Sequence, residues 1–150
     1  MPAPTPYYAV WEITLACNLK CAHCGSRAGK KRDREMTTEE CFRVVDQLSD
    51  LGVQDVTLIG GEAYLRDDWD LVLKRIADRG MRPSIATGGR GLTRDRARRA
   101  RDAGVTTVGV SIDGMEATHD LLRGVEGSWR WALEALDHLR AEGIRIPSNC

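Results

Sequence analysis

The sequence lacks the features that direct a chain to a membrane or to nucleic acid. No apolar run approaches the roughly 20 residues that span a bilayer. The opening Met-Pro-Ala-Pro-Thr-Pro has neither the basic nor the apolar segment of a signal peptide. The 22 basic and 22 acidic residues cancel, so no net charge attracts a polyanion. We therefore expect a cytoplasmic chain with neither a membrane nor a nucleic-acid partner.

The cysteines do not form the pattern of a disulfide framework. They number five, three of them fall between positions 17 and 24, and Cys150 has no partner pattern. Cytosolic thiols also stay reduced, so the cluster of three predicts metal or redox chemistry. Cys41 lies on the apolar stripe of a predicted helix, where a free cysteine is commonly a small core residue. We assign Cys41 to the core.

Strand-like and helix-like segments alternate along the chain. The predicted strands are 7–15, 53–59, 81–86 and 105–112, and a fifth begins at 144–146. The predicted helices are 37–51, 67–79, 93–103 and 128–142. Thr37 and Glu40 form a capping box for the first helix, and Ser128 is expected to cap the last. Pro83 weakens the third strand.

This alternation predicts an α/β fold of parallel βα units with right-handed crossovers. About four and a half units are too few to close a barrel, so we expect a partial barrel or a doubly wound sheet. In both architectures, ligands gather at the carboxyl ends of the strands. Each of the first four predicted strands is followed by a candidate motif, so all candidates fall on one face. The motifs are the cysteine cluster, Gly60-Gly61-Glu62, Thr87-Gly88-Gly89 and Ser111-Ile-Asp113-Gly.

Cys17, Cys21 and Cys24 follow the first strand with C-x3-C-x2-C spacing. A structural zinc site usually draws four ligands from two knuckles, and His23 is the one candidate fourth ligand here. Cys21-Ala-His-Cys24 also fits a thioredoxin-like dithiol, which gives Cys17 no role. A cubane iron–sulfur cluster accounts for all three thiolates and leaves one iron open to a small molecule. The spacing alone is compatible with all three interpretations.

The cysteine spacing, together with Gly-Gly-Glu after the second strand, resembles the radical S-adenosylmethionine (radical SAM) enzymes over residues 7–146. The resemblance implies a partial TIM-like barrel in which Cys17, Cys21 and Cys24 hold a 4Fe–4S cluster. S-adenosylmethionine (SAM) would bind the open iron and be cleaved reductively to a 5′-deoxyadenosyl radical. That radical would abstract hydrogen from a peptide or small-molecule substrate, with a flavodoxin or ferredoxin as electron donor.

The resemblance also implies contacts to SAM near the cysteines. His23 would pack near the adenine, and Gly60 and Gly61 would allow a close approach of the backbone. Glu62 would accept a hydrogen bond from the amine of SAM. The competing interpretation of Glu62 is a solvated loop carboxylate.

Further contacts are implied after the fourth strand. Ser111 and Asp113 would lie near the ribose, and Arg123 would pair with the carboxylate of SAM. Asp113-Gly114 is also an ordinary turn signal. The family often has Thr-Asn-Gly where this chain has Thr87-Gly88-Gly89, so we assign no contact there. Asp95 and Asp102 are interspersed with the six arginines of 90–101, which are interpreted as a solvated helix face.

The combination of Ser-Ile-Asp-Gly, His-Asp-x-x-Arg-Gly and Gly-Ser-Trp is similar to SPASM-type members, which modify ribosomal peptides or mature other proteins. Residues 1–150 would then form the amino-terminal part of a radical SAM core. The rest of the barrel would belong to a longer enzyme or to a partner chain. The alternative is a non-catalytic fragment that binds the cluster or SAM.

Overall fold

Four parallel strands form a single sheet in the computed structural model, which describes residues 5–147. Its order is β1-β2-β3-β4, without the reversal that defines a doubly wound sheet, so the partial-barrel prediction is confirmed. The strands are β1 (Tyr8–Thr14), β2 (Asp55–Gly60), β3 (Arg82–Thr87) and β4 (Thr107–Val110). The helices are α1 (Thr38–Asp50), α2 (Trp69–Asp78), α3 (Arg94–Asp102), α4 (Glu116–Arg123) and α5 (Ser128–Ala141). Cys150 lies outside the described residues.

One face of the sheet is apolar and the other carries hydroxyl groups. Val56 and Leu58 of β2 are fully buried in the same core as Ile76 of α2. Thr57 lies between them in the sequence, so its side chain emerges on the opposite face. There its Oγ1 lies 2.6 Å from the Ser84 Oγ. The helices therefore cover the outer face of the barrel wall, and the inner face carries these hydroxyl groups. Cys41 is buried in the core, as predicted.

Pro83 lies inside β3 without breaking it. The N–H of Arg82 donates to the Gln54 carbonyl on the β2 side (2.8 Å), so the next nitrogen faces the β4 side. Pairing with β4 begins only at Ser84. Pro83 therefore removes no hydrogen bond of the ladder, and the predicted weakness of this strand was wrong.

The two predicted helix starts differ in outcome. At α1 the capping box is confirmed: Glu40 N–H donates to the Thr37 hydroxyl (3.2 Å), and Thr37 N–H donates to the Glu40 carboxylate (2.9 Å). At α5 the cap prediction was wrong, because Asp120 of α4 takes that role. Its carboxylate accepts from the N–H of Gly127 (2.6 Å), the N–H of Trp129 (2.8 Å) and the hydroxyl of Ser128 (2.8 Å). The sequence patterns did not predict α4 itself.

The predicted fifth strand begins where it was expected. Val108 N–H donates to the Arg145 carbonyl (3.0 Å), and Arg145 N–H donates to the Thr106 carbonyl (2.9 Å), which forms a parallel bridge beside β4. Within residues 5–147, no helix is both long enough and apolar enough to cross a membrane.

Candidate cluster and cofactor site

Most of the predicted site residues meet in one cavity of about 250 Å³ at the carboxyl ends of the strands. The convergence predicted from the order of strands and loops is therefore confirmed. The cavity is lined, among others, by Cys17, Cys21, His23, Cys24, Gly60, Gly61, Glu62, Ser111 and Arg123. Thr87 and Gly88, to which the sequence analysis assigned no contact, line it too. The signal for this pair was their position directly after a strand, which they share with the other motifs.

Each of the three clustered cysteines accepts one hydrogen bond at sulfur. The pairs are Leu19 N to Cys17 Sγ (3.4 Å), Ala28 N to Cys24 Sγ (3.3 Å) and Arg123 Nη1 to Cys21 Sγ (3.6 Å). Donors around the sulfur stabilise a thiolate, and hydrogen bonds to sulfur are a normal part of iron–sulfur sites. The loop therefore presents three sulfurs whose surroundings suit metal-bound thiolates.

Within residues 5–147, the three thiols are not arranged as ligands of a single ion. Within the described residues, no three His, Cys, Asp or Glu side chains are arranged so that they could hold one metal ion. A mononuclear zinc site needs four ligands within about 2.0–2.3 Å of one ion. In a cubane each cysteine binds a different iron, so three cysteine ligands need not converge on one point. Burial raises the pKa of Cys17, and the hydrogen bond from the Leu19 N–H partly offsets the rise.

The start of the cysteine loop is fixed by the carboxylate of Glu35. Its Oε1 accepts from the hydroxyl of Thr14 (2.9 Å), the N–H of Leu15 (3.0 Å) and the N–H of Arg32 (3.2 Å). The guanidinium of Arg66 lies 3.7 Å from its Oε2. Desolvation would raise the pKa of Glu35, but these donors outweigh it and lower the pKa. Glu35 thus joins β1, the loop and the helix side of the barrel as an anion.

The middle of the loop is held by the carboxyl end of α4. Lys20 N–H donates to the Arg123 carbonyl (3.0 Å), and Ala22 N–H donates to the Leu122 carbonyl (2.8 Å). Gly124 ends α4 with φ +65°, and a Cβ there would collide with the Lys20 carbonyl. Only glycine meets both demands, so Gly124 is required for the contact between α4 and the loop.

Gly60 and Gly61 let the end of β2 pass directly beside the cysteine loop. A Cβ on Gly61 would collide with the Ala16 carbonyl and lie 2.7 Å from the Cys17 Cβ. A Cβ on Gly60 would collide with the Thr14 carbonyl. These glycines therefore allow the backbone of β2 to approach the cysteine loop closely. Their contact with SAM remains a prediction.

Glu62 is a buried carboxylate at the wall of the cavity. Its side chain belongs to a residue that is 1% exposed, so the solvated-loop interpretation was wrong. Oε1 accepts from the Gly88 N–H (2.8 Å), and Oε2 accepts from the Thr87 hydroxyl. Desolvation raises the pKa of Glu62, and these two hydrogen bonds partly oppose the rise. A buried, hydrogen-bonded carboxylate beside a cavity is suited to receive a cationic group such as an ammonium.

Arg123 is held against Asp113 rather than left free. Its Nη2 donates to Oδ1 (3.0 Å), and its Nε lies 2.6 Å from Oδ2. Asp113 is in turn positioned by His119, whose Nδ1 accepts from the Asp113 N–H (3.1 Å). His23, about half exposed, lies 3.6 Å from Asp113 at the mouth of the cavity. Asp113 therefore does more than form a turn, and its contact with the ribose of SAM remains a prediction.

Three curated relatives identify the kinship of the chain at the sequence level. Fe-coproporphyrin III synthase of Methanosarcina barkeri is 36% identical over 138 residues, which is 91% of this chain and 35% of the relative. AdoMet-dependent heme synthase of Nitratidesulfovibrio vulgaris is 32% identical over 98% of this chain and 41% of the relative. Mycofactocin maturase MftC of Mycolicibacterium smegmatis is 36% identical over 93% and 36%. The chain thus spans between 35% and 41% of the length of these relatives.

Solved structures share the fold. Streptococcus suis SuiB bound to precursor peptide SuiA superposes with a TM-score of 0.80 at 20% identity, over 94% of this chain and 32% of SuiB. anSMEcpe with bound AdoMet (SAM) superposes with a TM-score of 0.77 at 18% identity, over 95% and 42%. Both matches support a partial TIM-like barrel.

The model of the radical SAM superfamily matches residues 11–150 and so includes every predicted site residue. Members of this family use a 4Fe–4S cluster and SAM. By this match, the chain belongs to the radical SAM superfamily.

Proposed function

We propose that this chain binds a 4Fe–4S cluster through Cys17, Cys21 and Cys24 and binds SAM at the open iron. The observation that carries the proposal is the shared cavity, in which three sulfurs with N–H donors face the buried carboxylate of Glu62. When bound, the cluster supplies the electron that cleaves SAM to the 5′-deoxyadenosyl radical.

The protein's own residues would bind and orient SAM around that cluster. Glu62 would accept a hydrogen bond from the ammonium of SAM. Thr87 and Gly88 hold the Glu62 carboxylate in place. Ser111 and Asp113 would lie on the ribose side, at the end of β4. His23, at the mouth of the cavity, would cover the adenine.

Arg123 would attract the carboxylate of SAM with the part of its guanidinium that Asp113 does not occupy. Asp113 contacts Nε and Nη2, so Nη1 is left to face the cavity beside the Cys21 sulfur. A fixed guanidinium is suited to a carboxylate because its N–H groups are already oriented.

The whole enzyme would abstract hydrogen from a substrate that is either a peptide or a small molecule. The peptide class is supported by the fold shared with SuiB, which was solved with its precursor peptide SuiA, and by the similarity to MftC. A tetrapyrrole is the second candidate, because an Fe-coproporphyrin III synthase and heme synthases are among the relatives. Deuterium transfer from labelled peptide or labelled tetrapyrrole into 5′-deoxyadenosine would separate the two classes.

We also propose that residues 1–150 are the amino-terminal part of the core and that further strands continue beyond β4. Arg145 already pairs with β4, and the relatives are more than twice as long as their matched region. The remaining barrel would be supplied by the same polypeptide or by a partner chain. The proposed location is the cytoplasm, and the proposed electron donor is a flavodoxin or ferredoxin.

The test is anaerobic reconstitution with iron and sulfide, followed by reduction in the presence of SAM. We expect about four irons per chain and formation of 5′-deoxyadenosine. Cys21→Ala should lose the cluster, whereas Cys41→Ala, which alters a buried core cysteine, should keep it. Less than one iron per chain in the wild type would contradict the proposal. A normal cluster without SAM cleavage until the rest of the barrel is added would favour the binding fragment.

A further inference from the structure

We propose that Arg123 sets the reduction potential of the cluster through its contact with the Cys21 sulfur, and that Asp113 moderates this effect. The inference rests on the proposed function, because it presumes that Cys21 binds iron. Arg123 would act on the cluster through its charge, separately from any contact with SAM.

The donors to the three sulfurs differ in charge. Cys17 and Cys24 each accept from a neutral backbone N–H of their own loop. Cys21 accepts from a guanidinium, at 3.6 Å, across 102 positions of sequence. Hydrogen bonds and local charge at the sulfurs are among the factors that set the potential of an iron–sulfur cluster. Among these three contacts, the Arg123 contact is therefore the one able to act through a full positive charge.

Arg123 is buried, so its charge is poorly screened by solvent. The residue is 8% exposed, and the carboxylate that faces it on Asp113 is 22% exposed. The interaction of two charges grows as the effective dielectric constant falls, so a buried cation near sulfur has more influence than an exposed one. Lys20 is the neighbour of Cys21 in the sequence and is exposed, which makes it a suitable comparison.

Both the backbone and the side chain of Arg123 are held in place. The Arg123 carbonyl accepts from the Lys20 N–H, which ties the end of α4 to the cysteine loop (3.0 Å). Its side chain is held by Asp113, and the Asp113 N–H is held by His119. The Nε2 of buried His119 has no hydrogen-bond partner within the described residues, so the imidazole contacts its surroundings there through the bond that Nδ1 accepts from the Asp113 N–H. This arrangement places the cation near Cys21 before any SAM is bound.

The expected direction follows from the charge of the two redox states. One electron from dithionite lowers the cluster charge by one unit, and no bond or proton is exchanged. A fixed cation stabilises the more negative, reduced state, so Arg123 should raise the potential. Asp113 offsets part of that positive charge and should lower the potential.

The experiment is potentiometric titration of the reconstituted protein without SAM, followed by electron paramagnetic resonance. Arg123→Gln should shift the equilibrium toward the oxidised cluster by about tenfold, which is about 59 mV more negative for one electron. Asp113→Asn should shift the potential in the positive direction. Lys20→Gln, which removes an exposed cation, should leave it within a twofold change.

The outcomes distinguish this inference from the proposed function. Absence of a cluster in the wild-type protein would contradict the proposed function. A normal wild-type cluster together with equal potentials for the wild type and Arg123→Gln would overturn the inference alone. If Arg123→Gln does not retain iron, Arg123→Lys and Asp113→Asn decide. A potential unchanged by Asp113→Asn would then count against the inference, and a positive shift would support it.

Discussion

Gly61 shows how little space separates the cysteine loop from the end of β2. Gly61→Ala would place a methyl group against the Ala16 carbonyl and the Cys17 side chain, so one of the two segments must move. Overpacking of this kind usually costs about 1–3 kcal/mol. We expect a lower free energy of unfolding in urea and less iron bound after reconstitution.

Gly29→Ala is the matched control for this substitution. Gly29 lies in the same loop, but a Cβ there would meet no atom within 4 Å. Its stability and iron content should stay near those of the wild type. Equal behaviour of the two variants would contradict the argument from space.

Glu62 should make the stability of the cluster-free protein depend on pH. Burial raises the pKa of Glu62 in the folded state. The folded state therefore loses stability as the pH rises above the ordinary pKa of a glutamate, and the loss is complete above the raised pKa. Glu62→Gln cannot ionise and avoids this penalty. The melting temperature of Glu62→Gln minus that of the wild type should therefore increase from about pH 4 to about pH 7. A difference that stays constant or decreases would contradict the buried charge.

Glu35 should show the opposite dependence. Its pKa is lowered by the N–H and hydroxyl donors around it, so its stabilising effect is complete above the ordinary pKa and is lost as pH falls through the lowered one. Glu35→Gln should lower the free energy of unfolding by about 2 kcal/mol at neutral pH, the size typical of hydrogen bonds to a charged group. Denaturant titrations at neutral and acidic pH would test whether the difference between variant and wild type becomes smaller in acid.

At the scale of elements, α4 connects the site to the rest of the fold. His119 positions Asp113, Asp120 caps α5, Arg123 contacts Cys21, and Gly124 admits the loop. The four named residues of His-Asp-x-x-Arg-Gly thus make four different structural contributions, in α4 and at its carboxyl end. A change at any of them should disturb the site without emptying the apolar core.

Gly124→Ala tests the contact between α4 and the cysteine loop. The variant should be destabilised both by the positive φ and by collision with the Lys20 carbonyl, and it should bind less iron. Gly143→Ala is the control, because Gly143 follows α5 with φ +71° but has open space at its Cβ. It should pay only for the backbone conformation, about 1–2 kcal/mol, and keep the cluster. Iron analysis and circular dichroism melting would separate the two effects.

Local patterns predicted the elements that are defined by local interactions. The capping box at Thr37, the four strands and the strand-exit motifs follow from residues close in the sequence, and the structure confirms them. Two predictions failed because distant residues decided the outcome. Asp120 supplies the cap assigned to Ser128, and Pro83 is tolerated because pairing with β4 starts one residue later.

The site could be predicted as a set of residues but not as a network. Strand order placed the cysteines and Glu62 on one face, which required only topology. The burial of Glu62 by Thr87 and Gly88, and the contact of Arg123 with Cys21, join separate βα units. No spacing rule within the sequence expresses contacts of this kind.

At the scale of the whole molecule, ion pairs join successive helices around the sheet. Asp46 contacts Arg75 between α1 and α2 (2.7 Å), and Asp70 contacts Arg99 between α2 and α3 (2.9 Å). Four of the five arginines of α3 contact a carboxylate, in agreement with their interpretation as a solvated helix face. Salt screens exposed pairs, so the melting temperature should fall as NaCl rises from about 0.05 M to about 0.5 M.

Asp70→Asn should weaken this salt dependence, because it removes a pair between helices. Asp137→Asn removes a pair with Arg140 inside α5 and is the matched control. Its salt dependence should stay close to that of the wild type. Identical salt dependence in the wild type and both variants would contradict a role for pairs between helices.

The contacts between α4 and the cysteine loop also determine the order of events during synthesis. Cys21 and Arg123 are 102 positions apart, so the thiols leave the ribosome well before the helix that holds their loop. At about 5–20 residues per second, this delay is roughly 5–20 seconds. During that interval the loop has neither its cationic donor nor its α4 contacts. Iron delivered to the nascent chain would therefore encounter a loop without its α4 contacts. Iron delivered after α4 has formed would encounter the complete site.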